Sequence, residues 1–312
     1  MPVFQRTAND KTTRLDKDAR KLALVFEENT NIELAGGGLE IVVDSDDPGI
    51  VEVTNGPIPT VNTYAVRGAR SGTTKITART MDRSYADSAA RRRSWLTMPV
   101  VASLDVTVFG NEYRQAGGTW GNLTYGSTNP HWKDVQWTTM AEAGCGPTSL
   151  AMVLDYLDRL SPHAQGNFTY AGISPRNTMD YTSAYGRAAD DKGVPQGTSG
   201  KIMMDNVSRY WPDYTSRPVM GIKDAKLLLR QNKPIVFLAR DNIVTWKYEN
   251  GRRVEMKWPG HFMVVLGYEG DGDPFWIADS SRFKGKFISA SELAKCSMWV
   301  VERWADAKCT VQ

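Results

Sequence analysis

The run Ala-Glu-Ala-Gly-Cys-Gly-Pro-Thr-Ser-Leu-Ala-Met-Val-Leu, residues 141 to 154, constrains this chain more than any other stretch. A cysteine stands between two glycines, and an amphipathic helix starts directly after it. Leu150, Val153, Leu154 and Leu157 recur at the i, i+3, i+4, i+7 spacing of one buried helical face. Pro147 suits a first helical turn, where its missing N–H costs nothing. The Cys145 thiol is therefore expected at or just before a helix N-terminus. There the helix dipole and the free N–H groups favour thiolate over thiol, which makes a cysteine nucleophilic at neutral pH.

A nucleophile needs a base, and only three histidines are present: His131, His163 and His261. His131 beside Trp132 and His163 in a Ser-Pro-His-Ala loop read as surface or packing residues. His261 opens the strongly apolar, strand-like run Gly-His-Phe-Met-Val-Val-Leu-Gly-Tyr, 260 to 268. The turn-rich stretch 269 to 274 and then Phe-Trp-Ile-Ala-Asp, 275 to 279, complete a hairpin pattern. If Gly267 pairs with Phe275, Asp279 falls opposite Met263 and diagonal to His261 on the same face. A register one residue different would turn Asp279 to the other face. The expected roles are Cys145 as nucleophile, His261 as general base and Asp279 as orienter of the imidazole.

These three stretches resemble the papain-like cysteine peptidases of the bacteriocin-leader-processing (double-glycine peptidase-like) type, over roughly residues 113 to 304. Arg-Gln-Asn-Lys-Pro-Ile-Val, 230 to 236, is similar to the segment that precedes the histidine in that family. The resemblance implies a C-terminal α+β papain-like domain and a thiol hydrolase. It also implies a glutamine upstream of the cysteine that helps form an oxyanion hole. In the matching stretch, Tyr-Gly-Ser-Thr-Asn-Pro-His-Trp, 125 to 132, Ser127 stands where the glutamine is expected. Ser127 and Gln136 are the oxyanion-hole candidates, with Gln115 a further glutamine nearby. Cys296, between Leu293 and Met298-Trp299, reads as a core residue, and Cys309 as incidental to a tail.

The first third of the chain has a different pattern. Leu22–Phe26, Asn31–Leu34, Glu40–Val43, Ile50–Thr54, Thr63–Val66, Thr74–Ala78 and Ser103–Phe109 read as short strands between Gly, Pro and Asp clusters. Strands at this spacing predict a β-sandwich. Asp-Ser-Asp-Asp-Pro-Gly-Ile-Val-Glu-Val, 44 to 53, and Gly-Ala-Arg-Ser-Gly-Thr-Thr-Lys-Ile-Thr-Ala, 68 to 78, resemble signatures of group 2 bacterial immunoglobulin-like domains. That resemblance implies a spacer or adhesion module, and a possible contact with a delivery machine. The three aspartates 44, 46 and 47 lack an EF-hand pattern and read as a turn cluster. Arg91, Arg92 and Arg93 lie in an insert, 82 to 96, read as an exposed loop.

Composition bounds the remaining classes. The chain has 312 residues, for which two domains are the default, and its 41% hydrophobic and 23% charged content is that of a globular protein. A net charge of +3 gives no case for nucleic acid. No apolar run reaches the length of a membrane span. The N-terminus has no apolar core of a secretory signal, so synthesis in the cytoplasm and export by a signal-independent route are expected. Three cysteines at unrelated spacings give neither a disulfide framework nor a zinc site, and no metal or organic cofactor is expected.

Between cysteine and histidine, Asn167–Gly200 reads as a long polar loop whose Tyr181, Tyr185 and Gln196 are candidates to line a cleft. Asp224–Gln231 reads as a helix leading into a strand at Ile235–Ala239. Thr245–Pro259, with Trp246, Tyr248 and Trp258, reads as a loop walling the cleft or packing against it. The expected architecture is thus multidomain: tail 1–19, an all-β immunoglobulin-like sandwich at 20–110, and a papain-like α+β domain at 111–312. The expected activity is hydrolysis of a peptide or amide bond through a thioester acyl-enzyme. The substrate would be a protein, a peptide or a peptidoglycan peptide. The setting would be a bacterial or phage effector toxin, with an immunity or inhibitor protein as partner. Two alternatives stay open: a catalytically inactive peptide-binding module, favoured by Ser127, and an acyltransferase using the same triad.

Overall fold

The computed structural model describes residues 3–7, 14–15, 21–25, 27–35, 41–55, 63–80, 99–125, 138–160, 172–185, 187–189, 195–250, 252–270, 273–281 and 286–304. Chain contacts divide it into two compact units, Met1–Phe109 and Gly110–Gln312. Among the described residues, no helix is long and apolar enough to cross a membrane.

The first unit is built of strands β1 (Val3–Arg6), β2 (Arg14–Leu15), β3 (Lys21–Val25), β4 (Asn29–Ala35), β5 (Ile41–Ser45), β6 (Val51–Asn55), β7 (Thr63–Gly68), β8 (Gly72–Thr80) and β9 (Val100–Phe109). They form two sheets, ordered β1-β4-β7-β6 and β2-β3-β9-β8-β5. Alternation is clear in β7, where Tyr64 and Val66 point inward, and both sheets contribute to one apolar core. The residues 1–19, expected as a tail, instead carry β1 and β2, and Phe4 and Leu15 are buried in that core. One large side chain per segment is enough to anchor such a strand and too little to mark it in sequence. The Asp cluster serves the turn after β5: Asp46 accepts from Thr77 at 2.7 Å and Asp47 from the Gly49 N–H at 2.9 Å. The insert 82–96 lies outside the described residues.

The second unit begins with the short pair β10 (Thr124–Tyr125) and β11 (Thr138–Thr139), then helices α1 (Met140–Ala143), α2 (Cys145–Arg159) and α3 (Pro175–Tyr185). Next come β12 (Arg187–Ala189), β13 (Pro195–Thr198), α4 (Gly200–Asp205), α5 (Val207–Tyr210), β14 (Tyr214–Pro218) and α6 (Ile222–Arg230). The unit closes with β15 (Ile235–Glu249), β16 (Arg252–Tyr268), β17 (Phe275–Asp279), β18 (Lys286–Ile288), α7 (Ala290–Leu293) and β19 (Ser297–Arg303). The main sheet runs β14-β19-β15-β16-β17-β18, and β18 pairs again with the far end of β15, closing the strip on itself. Helix α2 packs across this sheet. Ala225, Leu228 and Leu229 of α6 join a core with Phe237, Met263 and Ile277.

Two stretches expected as loops are regular. Residues 245–259 are the continuation of one long hairpin: Val254, Met256 and Trp258 are partly covered, while Arg253, Glu255 and Lys257 are exposed. Within 167–200, Ser174 and Pro175 start α3. Thr178 of α3 donates to the Pro147 carbonyl at 2.7 Å and so braces the first turn of α2. Tyr181 is wholly buried and donates to the Met203 carbonyl at 2.6 Å, so it packs the unit and does not line a cleft. The side chains of Tyr185 and Gln196 lie outside the description.

Candidate active site

Cys145 is the first residue of α2, with Gly144 as the N-cap. As first-turn positions, Cys145 and Gly146 have N–H groups with no carbonyl inside the helix to receive them. The helix is buried from Gly146 to Leu157, including Leu150, Val153, Leu154 and Leu157, while Cys145 itself stays partly exposed. Gly146 is required by contact, because a Cβ there would lie 2.6 Å from the Thr198 side chain. Thr198 is fixed in turn by the hydroxyl of buried Tyr125 at 2.6 Å.

Burial pushes the Cys145 thiol up, but other effects outweigh it and leave its pKa below the ordinary thiol value. They are a hydrogen bond to His261, the charge of that ring, and the backbone N–H groups of Phe262 and Gly146. His261 is buried in β16, and its Nε2 lies 2.7 Å from Asp279 Oδ1. With Nε2 given to Asp279, Nδ1 is the ring nitrogen left for the thiol. Asp279 Oδ1 also accepts the Ser281 N–H at 2.6 Å, and the Asp279 N–H reaches Glu112 Oε1 at 3.4 Å. The Ser280 hydroxyl donates to the Phe262 carbonyl at 3.0 Å and stands 3.5 Å from His261 Nε2.

The hairpin register has an instructive origin. Asp279 does pair with Met263, as expected, yet Gly267 pairs with Trp276 and Tyr268 with Phe275. A bulge between Val265 and Gly267 absorbs the difference of one residue. Without it, Asp279 would sit on the other face from His261.

Ser127 and Gln136 lie outside the described residues. Gln115 is described, and it is held between the helix before Cys145 and the residue after Asp279. Its Nε2 donates to the Ala141 carbonyl at 2.7 Å, within one turn of Cys145, and its N–H donates to the Ser280 carbonyl at 2.7 Å. Its Oε1 is buried and has no partner among the described residues. The stretch 110–115 thus ties the cysteine side to the carboxylate side. It is anchored on α2 as well, where Asp155 accepts from the Asn111 N–H at 2.9 Å and from Asn111 Nδ2 at 3.2 Å. Gly110 leaves room for this, since a Cβ there would lie 2.7 Å from Asp155 Oδ2.

The other candidates separate cleanly. Cys296 packs against the core of the second unit, and its Sγ–H donates to the Glu292 carbonyl at 3.5 Å. Burial, then the Glu292 charge, push its thiol up to about 12, which leaves it protonated at neutral pH. His131, His163 and Cys309 are outside the described residues. Trp258 lies against the imidazole, with ring centroids 4.3 Å apart and planes inclined by 24°.

The structure thus brings together a thiol at a helix start, an imidazole and a carboxylate, in this order. The model of the Peptidase_C39-like family matches residues 131–310, more than half of the chain, and the protein belongs to that family. Its function is therefore of the cysteine-peptidase type. Comparison with curated proteins finds no match. Among solved structures, a protein of Bacillus anthracis assigned as a C39-like peptidase is similar, at 17% identity and a TM-score of 0.34. That similarity covers 52% of this chain and 90% of the other. Domains 1–6 of the surface-layer protein SbsC are similar at 12% identity and a TM-score of 0.21, over 91% of this chain and 27% of the other.

Proposed function

We propose that the second unit hydrolyses a peptide or amide bond with Cys145, His261 and Asp279 as its catalytic triad. The observation that carries this reading is the unbroken relay from the Cys145 thiol through His261 to the Asp279 carboxylate. The thiolate attacks the carbonyl carbon, and the negative charge moves to its oxygen. The Cys145 N–H and the second N–H of the Gln115 amide are the donors we assign to that oxygen. The C–N bond then breaks, the His261 imidazolium gives its proton to the leaving amine, and a thioester remains on Cys145. Water resolves the thioester, with His261 now taking its proton. Asp279 keeps the ring in the tautomer and orientation that both steps need.

The first unit we read as an immunoglobulin-like spacer. In support, β3 pairs in parallel with the last strand, β9, while the other pairings are antiparallel, and both sheets share one core. A spacer beside a peptidase suits an effector toxin acting on a cell-envelope peptide, exported by a signal-independent route and restrained by an immunity protein. Toxicity on direction to the periplasm, abolished by Cys145→Ala, is the outcome this expects.

The activity itself is tested by exposing peptide mixtures and peptidoglycan fragments to wild type and to Cys145→Ala, then sequencing new termini by mass spectrometry. New termini made by wild type alone are expected. Conjugates to an added amine in place of new carboxyl termini would make the protein an acyltransferase. No covalent change in either pool would overturn the reading.

A further inference from the structure

Trp258 is three residues from His261, a spacing that in a regular strand puts side chains on opposite faces. The pairing explains why it does not. Arg240 pairs with Gly260 and Ile243 with Trp258, so Asp241 and Asn242 face Pro259 alone. Asp241 and Asn242 take left-handed φ angles of 56° and 61°, and Pro259 has no N–H to pair. The bulge breaks the alternation and brings indole and imidazole together at 4.3 Å. The far edge of the indole is fixed too, because its Nε1–H donates to Thr245 Oγ1 at 3.0 Å and Thr245 is wholly buried.

We propose that Trp258 is a positioning residue of the Cys145–His261 pair, a role that presupposes the thiol–imidazole chemistry proposed above. Its indole face holds the imidazole plane, so that Nε2 meets Asp279 and Nδ1 meets the thiol. The face of an indole carries negative potential and attracts a cation within about 6 Å of its centre, more strongly than a phenyl ring does. A stack tilted by only 24° also leaves that side of the ring without water.

The test combines NMR of the full chain carrying isotope-labelled histidine, in which three histidines give signals, with the rate of Cys145 alkylation by iodoacetamide at pH 7. Wild type, Trp258→Phe and Trp258→Leu are compared, with melting temperatures in parallel. Trp258→Leu is expected to remove the ring-current shift of the His261 Cε1 proton and to slow Cys145 alkylation by roughly 3- to 30-fold. Trp258→Phe falls between, and decides the matter if the leucine variant does not fold. An alkylation rate unmoved in both, with only the melting temperature lowered, would overturn the proposal and leave Trp258 as packing. Failure of the underlying reading looks different: Cys145 of the wild type itself would then be alkylated no faster than Cys296.

Discussion

Replacing Asp155 by asparagine keeps the shape of a wholly buried side chain and removes its charge. In the native protein one carboxylate oxygen receives the Asn111 N–H at 2.9 Å, Asn111 Nδ2 at 3.2 Å and Arg159 Nε at 2.9 Å. A bond to a charged acceptor contributes about 1.5–3 kcal/mol and a neutral one about 0.5–1.5, so each weakens by about 1 kcal/mol. Three bonds give a loss of about 3 kcal/mol, close to the cost of breaking a buried ion pair. For a unit of this size that lowers the melting temperature by about 6–12 °C. The loss has a functional address, because Asn111 anchors the stretch whose Gln115 bridges Ala141 and Ser280. Denaturant titration gives the energy, and amide exchange gives the location through the Asn111 and Gln115 amides. A loss below about 1 kcal/mol, with both amides as protected as before, would mean that the Asp155 charge does not hold this stretch.

Asp279→Asn exchanges a charge-assisted bond to His261 for a neutral one, and alkylation of Cys145 at pH 7 is expected to slow by roughly 5- to 30-fold. Gln115→Ala should slow acylation by p-nitrophenyl acetate by roughly a hundredfold while leaving iodoacetamide alkylation within about twofold, because alkylation develops no oxyanion. Equal losses in both assays would mean that Gln115 only holds the site together. Gly146→Ala places a Cβ 2.6 Å from Thr198, and urea titration should show a loss of about 1–3 kcal/mol from overpacking.

How much of this was legible in sequence differs by residue. The helix behind Cys145 was legible because its buried face repeats at helical spacing and Pro147 marks its first turn. The His261–Asp279 pairing was also legible, although the bulge at Leu266 that secures it leaves no mark in composition. The long hairpin was hidden by its charges, yet Arg253, Glu255 and Lys257 alternate with Val254, Met256 and Trp258, which is the pattern of a strand with one covered face. Ser174-Pro175 was an available helix start inside the presumed loop. Gln115 was harder to see. It lies far upstream of Cys145, and only the folding of 110–115 across α2 and the end of β17 brings it to the site. Local pattern carries no record of that closure. Trp258 was visible as an aromatic near the histidine, but its stacking depends on a bulge that two left-handed residues on another strand create.

Whether His261 holds Cys145 as a nucleophile is decided by alkylation with iodoacetamide followed by mass mapping. The thiol lies below its usual range, so labelling is expected to be fast at pH 7, to persist toward lower pH and to be slowed by His261→Ala. Cys296, pushed up to about 12, should stay unlabelled under the same conditions. Labelling of Cys145 no faster than that of Cys296, or unaffected by His261→Ala, would mean that His261 does not activate the thiol.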